Sequence, residues 1–84
     1  MDQIKQQIRN FLSALLPEGK VNNLSDNTPL RTSGIIDSMG VLRLVSLVEE
    51  KFGIEVSAYE AGIENFDRID DIAAFIQRKQ AAKA

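Results

Sequence analysis

Between Pro17 and Asp37 the sequence keeps no hydrophobic period, and that interval constrains an 84-residue chain more than any other feature. Turn formers crowd it: Gly19, Asn22, Asn23, Ser25, Asp26, Asn27, Pro29, Ser33 and Gly34. Loops longer than about 12–15 residues are uncommon in small domains and are either functional or mobile. An up-and-down bundle with short connections is therefore disfavoured unless apolar residues pin the segment down. Val21, Leu24, Leu30, Ile35 and Ile36 are the candidates for that task.

The segments around this loop have helical periods. Ile4, Ile8, Phe11, Leu12 and Leu15 fall into one stripe at 100° per residue, with Asp2 placed to cap the start and Pro17 and Gly19 to end it, so a helix is predicted over about 3–16. After the loop, Val41, Leu44, Val45, Val48 and Phe52 share one sector of a helix over about 38–52, closed by Gly53. Met39 and Leu42 lie on another side of that helix, beside Ser46 and among Arg43, Glu49 and Glu50. They read either as a stripe that docks a partner or, for Leu42, as a residue half covered by a loop. Ile54 and Val56 alternate with Glu55 in a short extended piece. A short helix is predicted over about 59–66, interrupted at Gly62, with Ile63 and Phe66 as its anchors. A last helix runs over about 68–80, capped by Asp67, with Ile69, Ile72, Ala73 and Ile76 buried and the residues beyond Gln77 frayed. The expected fold is all-α, a four-helix bundle in one domain spanning 1–84, with a long loop at 17–37.

Composition removes many functions. The chain contains no Cys and no His, so it lacks a thiol nucleophile, an imidazole base, a disulfide framework and a conventional zinc site. No catalytic residue and no metal ligand is expected. A net charge of −2 argues against nucleic acid as a partner. No apolar run approaches the roughly 20 residues that span a bilayer, and the first residues lack the layout of a secretory signal, so a cytoplasmic monomer without membrane insertion is expected.

One local feature carries chemistry. Gly34-Ile35-Ile36-Asp37-Ser38-Met39-Gly40 delivers a serine to the start of a helix directly after an acidic residue. On spacing alone Ser38 reads first as a helix cap. It also reads as a modification site: a helix start presents free N–H groups and a positive dipole end, where a phosphate on the serine would be stabilised. The Met39/Leu42 stripe begins one residue away, within grip of an enzyme working on that serine.

The stretch from Gly34 to Val56, with its Asp-Ser-Met-Gly start, its Phe52 close and its Ile54-x-Val56 piece, resembles the signature of acyl carrier proteins and of the related peptidyl and D-alanyl carrier proteins. Glu64-Asn-Phe-Asp-Arg-Ile-Asp-Asp-Ile72 extends the resemblance, which covers nearly the whole chain. It implies the four-helix carrier fold, 4′-phosphopantetheine attached covalently to Ser38, and Asp37 as the acidic residue of the motif that the modifying transferase recognises. It implies core positions at Val41, Leu44, Val45, Val48, Phe52, Ile54, Phe66, Ile69, Ile72 and Ile76. It also implies a carrier and not an enzyme, with the thiol supplied by the prosthetic arm. The implied partners are a phosphopantetheinyl transferase, an acyl- or aminoacyl-activating (adenylating) enzyme, and downstream acyl-transfer or synthase enzymes of fatty acid or secondary metabolite biosynthesis. Docking would involve Met39, Gly40, Leu42, Arg43, Ser46, Glu49 and Glu50. Carriers of fatty-acid synthesis usually have an acidic residue after the motif and a strongly acidic helix, where this chain has Gly40 and Arg43. That brings it closer to free-standing carriers of the D-alanyl type or those that serve adenylating enzymes. Glu55, Glu60, Glu64, Asp67, Asp70 and Asp71 against Arg68 form an acidic stretch that reads as a solvated face or as a neighbour of the docking helix. The competing reading is an unmodified helical adaptor, with Ser38 as a cap and the Met39/Leu42 side as its contact.

Overall fold

Four α-helices make up the computed structural model, which describes residues 2–83: α1 Asp2–Leu15, α2 Ser38–Phe52, α3 Ile63–Phe66 and α4 Ile69–Lys83, with a 3₁₀ turn at Lys20–Asn23. Among the described residues there is no strand. The amphipathic stripe of α1 buries Ile8 and Leu12 completely and half-buries Ile4, Phe11 and Leu15. Helix α2 buries Val41, Leu44, Val45 and Val48. Its Phe52 is only half covered, edge-on to the Phe11 ring at 6.4 Å. Gly53 ends α2 in the left-handed region (φ 64°), donating its N–H to the Glu49 carbonyl at 3.0 Å. The capping role expected for Asp2 concerns a side chain outside those described.

Expectations change at several places in the C-terminal third. The helix predicted over 59–66 is confined to Ile63–Phe66, because the extended backbone of Gly62 (φ −74°, ψ −179°) separates it from a turn over 58–61 that Ser57 and Glu60 cap. The Ser57 hydroxyl accepts the Glu60 N–H at 3.1 Å and the Glu60 carboxylate accepts the Ser57 N–H at 3.0 Å. On so short a helix only one anchor faces the core, so Phe66 is buried while Ile63 is 50% exposed. Helix α4 does not fray after Gln77 but runs to Lys83, since Lys79 pairs with Glu60 at 3.2 Å and Lys83 donates to the Gly53 carbonyl. Phe75 joins the α4 core, outside the stripe that a single neighbour would bury, because α4 packs against α3 as well as α1 and α2 and the Phe66 ring meets Phe75 edge-on at 5.5 Å.

The long loop is held at both ends. Leu24, Leu30 and Ile36 enter the core, with Val21 and Ile35 packed beside them. Asp26 receives Arg9 at 2.8 Å and Lys5 at 3.3 Å, Lys5 also reaches Asp70 at 2.7 Å, and the Asp26 carbonyl accepts the Asp70 N–H at 3.0 Å. The second clasp centres on Asp67. Expected as the cap of the last helix, its carboxylate turns instead to the loop, accepting the N–H groups of Arg31 at 2.7 Å and Thr32 at 3.0 Å and the Thr32 hydroxyl at 2.8 Å. Its backbone carbonyl accepts the Leu30 N–H at 2.6 Å. Helix α4 then starts without it, on a bond from the Ile72 N–H to the Arg68 carbonyl.

Burial pushes the Asp67 carboxyl up, but the hydrogen bonds from Thr32 and Arg31 outweigh it and hold the group below its ordinary value. Asp26 is likewise held low: the Arg9 hydrogen bond is its largest influence, burial opposes it, and Lys5 adds to the lowering. The unfolded chain therefore takes up these protons first as acid is added. The stability the two carboxylates contribute is present above about pH 4 and is lost as pH falls through their lowered folded values. Asp67→Ala should reduce the free energy of unfolding by about 2–3 kcal/mol, read by denaturant titration at neutral pH, because it strands several donors at once. Asp67→Asn should remove part of the acid dependence of stability that the wild type shows below about pH 4.

Candidate functional site

The start of α2 is built by the end of the loop. Gly34 turns in the left-handed region (φ 82°), donating to the Arg31 carbonyl at 3.1 Å, and the Ile36 N–H returns to the Leu30 carbonyl at 2.9 Å. Ile36 is buried, so the chain is anchored one residue before the motif. Asp37 follows in extended backbone and is the N-cap: its carboxylate accepts the Gly40 N–H at 2.8 Å and its carbonyl accepts the Val41 N–H at 3.0 Å. The capping role that spacing alone offered to Ser38 therefore falls to its neighbour. Ser38 is the first helical residue, exposed, and among the described residues no group hydrogen-bonds its hydroxyl. With Gly40 capped, the N–H groups of Ser38 and Met39 remain open at the positive end of the α2 dipole. An anion attached to the Ser38 oxygen would meet both.

The residues grouped with Ser38 by sequence separate in space. Ser38, Met39, Leu42, Arg43, Ser46 and Glu50 are all exposed and lie at i, i+3 and i+4 spacings along α2, with Met39 60% and Leu42 58% exposed. No loop covers Leu42. Gly40 is half-buried, and a Cβ there would stand 3.2 Å from the Ile36 Cβ, so its smallness seats α2 on the anchored loop. Glu49 is half-buried and its carboxylate accepts the Val56 N–H at 2.8 Å, fastening the extended piece after Gly53. Tyr59 (91% exposed) and Ile63 add apolar surface in the α2–α3 region that the helix wheels had not indicated. Of the acidic stretch, Asp67 and Asp70 serve the loop clasps and Glu60 pairs with Lys79, while Glu55 and Glu64 are exposed. Among the described residues no group of three or more His, Cys, Asp or Glu is arranged to hold a metal, and no helix is long and apolar enough to cross a membrane.

Comparison with known proteins gives the family of the chain. The family model described as the phosphopantetheine attachment site matches residues 6–76. A probable acyl carrier protein, PigG, of Serratia sp. is 23% identical over 78 residues, 93% of this chain and 90% of the relative. D-alanyl carrier protein 2 of Lactiplantibacillus plantarum is 37% identical over 60 residues, 71% of this chain and 72% of the relative. The chain belongs to the phosphopantetheine-binding carrier family. Its role is that of a carrier, holding 4′-phosphopantetheine covalently, and proteins of this family are not themselves enzymes. The family as a whole works with phosphopantetheinyl transferases and acyl-processing enzymes. Of the two readings that the sequence left open, the carrier stands and the unmodified adaptor falls.

The structural division of labour is measurable. Asp37→Ala should lower stability by about 0.5–2 kcal/mol through loss of the cap, whereas Ser38→Ala should leave the denaturation midpoint nearly unchanged. Leu42→Ala should cost well under the roughly 2–5 kcal/mol expected for Leu44→Ala, which empties a fully buried site. Equal losses at 42 and 44 would return Leu42 to the core.

Proposed function

We propose that Ser38 is the residue that carries the 4′-phosphopantetheine. Its exposed hydroxyl, free of any capping duty at the start of a helix that Asp37 caps, is the observation that carries this reading. The arm fits the site: its phosphate would lie against the open N–H groups of Ser38 and Met39, and the hydroxyl faces solvent, where a transferase can reach it. Asp37 serves twice in this account, as the cap that fixes the helix start and as the acidic residue read by the transferase. When attached, the arm supplies the thiol that this Cys-free chain lacks and holds acyl or aminoacyl groups as thioesters. The protein is the handle by which partners receive them.

The exposed strip of Met39, Leu42, Arg43, Ser46 and Glu50 is proposed as the surface those partners grip. Gly40 and Glu49 support it by seating α2 and by holding the residues after Gly53. An enzyme that adenylates an acyl or aminoacyl group and loads the thiol is the proposed first customer, followed by acyl-transfer or synthase enzymes in the cytoplasm. The name of the L. plantarum relative, a D-alanyl carrier, favours an aminoacyl cargo, and the positive Arg43 in mid-strip bears on which partner docks. A cation there disfavours partners that approach with basic patches and accepts one that presents a carboxylate.

Incubation with a phosphopantetheinyl transferase should add the mass of one phosphopantetheinyl group to the intact protein, and Ser38→Ala should abolish the gain while leaving the helical circular dichroism unchanged. Modification elsewhere, or none with competent transferases, contradicts the assignment. Arg43→Glu should slow charging of the loaded protein by its adenylating enzyme, with the difference shrinking as salt is raised, because exposed charges are screened over about 8–10 Å at ordinary ionic strength. Initial charging rates across a salt series check this.

A further inference from the structure

Beside the start of α2 lies a depression of about 370 Å³ between the end of α1 and the motif, lined by Leu15, Ile35, Asp37, Met39 and Arg43 among others. A second, of about 540 Å³, continues along the loop past Asn23, Thr28 and Ser33 to Lys20. The two share Leu16, Pro17, Gly34 and Ile35, so they form one trough that begins at both chain neighbours of Ser38, borders the exposed strip of α2 at Met39 and Arg43, and leads from there along the loop away from Leu42, Ser46 and Glu50. Each is within the roughly 300–1,000 Å³ typical of small-molecule sites.

We infer that this trough is a berth for the protein's own prosthetic arm, an inference that rests on Ser38 being its point of attachment. The chemistry of the walls matches the arm. The arm has a gem-dimethyl group near its phosphate and two amides farther along, ending in the thiol. Met39, Ile35, Leu16 and Pro17 offer apolar wall nearest the tether, and polar groups follow at Asn23, Thr28 and Ser33. Among the described residues the Asn23 side-chain amide has no hydrogen-bond partner, whereas the Thr28 and Ser33 hydroxyls are engaged within the loop. Asn23 is thus the group available to an amide of the arm. Tethering supplies the rest: a ligand fixed at the trough's edge is present at high effective concentration, so shallow contacts suffice to bias its position. Berthed there, the arm leaves Leu42, Ser46 and Glu50 uncovered for a partner, which would then draw it out.

The absence of Cys makes the test direct, because the thiol of the loaded arm is the single thiol in the molecule. The protein is loaded, the mass gain and its loss in Ser38→Ala are confirmed, and the thiol is labelled with a nitroxide for amide-resolved NMR. The amides of Asn23, Ser33, Gly34 and Ile35 should lose most of their intensity while those of Ser46–Glu50 keep theirs. Ser33→Trp, which fills the second depression from its exposed edge, should restore the Asn23 signal while the helical circular dichroism stays unchanged. Broadening spread evenly on both sides of Ser38, broadening concentrated along Leu42–Glu50, or no response to Ser33→Trp overturns the berth while leaving the attachment site standing. Loading at a residue other than Ser38 overturns both.

Discussion

A single buried carboxylate decides where Ser38, the proposed attachment residue, stands. Asp67, 5% exposed, gathers two backbone N–H groups and a hydroxyl from Arg31 and Thr32 and so converts an aperiodic loop into a fixed path. A buried charge is tolerable only when its hydrogen-bonding capacity is met, and here it is met almost wholly by the loop. The clasp sits four residues before the buried Ile36, and Ile36 sits two residues before Ser38. Position passes along that short length of chain to the start of α2.

The consequence is a helix whose two sides do different work. Val41, Leu44, Val45 and Val48 weld α2 to the core, and Gly40 lets its first turn rest against Ile36. The opposite side stays bare, and the serine at its head has been relieved of capping by Asp37. A carrier with its arm on Ser38, as proposed, needs that combination: a fixed base, a hydroxyl in solvent and an exposed strip beside it. The clasps fix the loop, and α3, one turn long, cannot hold itself without Phe66 in the core.

Much of this was legible in the sequence because helical periodicity is a local signal. The core-facing sides of α1 and α2, the bounds of α2 and the exposure of Met39 and Leu42 follow from spacing, although Phe52 is only half covered, and the residues pinning the loop stand out as its apolar members. What escaped depends on partners far along the chain. Asp67 before a helix has the signature of a cap, and nothing local reveals that its acceptors are spent on Thr32 and Arg31 instead. Phe75 looked peripheral until α3 supplied a second wall. The α4 tail looked free until Lys79 and Lys83 found Glu60 and the Gly53 carbonyl. One miss did have a local signal: Asp37-Ser38-Met39-Gly40 offers two capping candidates side by side, of which the aspartate wins the Gly40 N–H.

If the clasp on Asp67 positions the serine, weakening it must be felt at Ser38 even though the two are in different elements. The direct measurement is the rate at which a phosphopantetheinyl transferase loads Asp67→Asn relative to the wild type, at a temperature where circular dichroism shows both fully helical. The account predicts slower loading of the variant, with the deficit growing as temperature approaches its unfolding transition. Loading at the wild-type rate throughout that range would show that the start of α2 holds its form without the clasp, and would contradict the account.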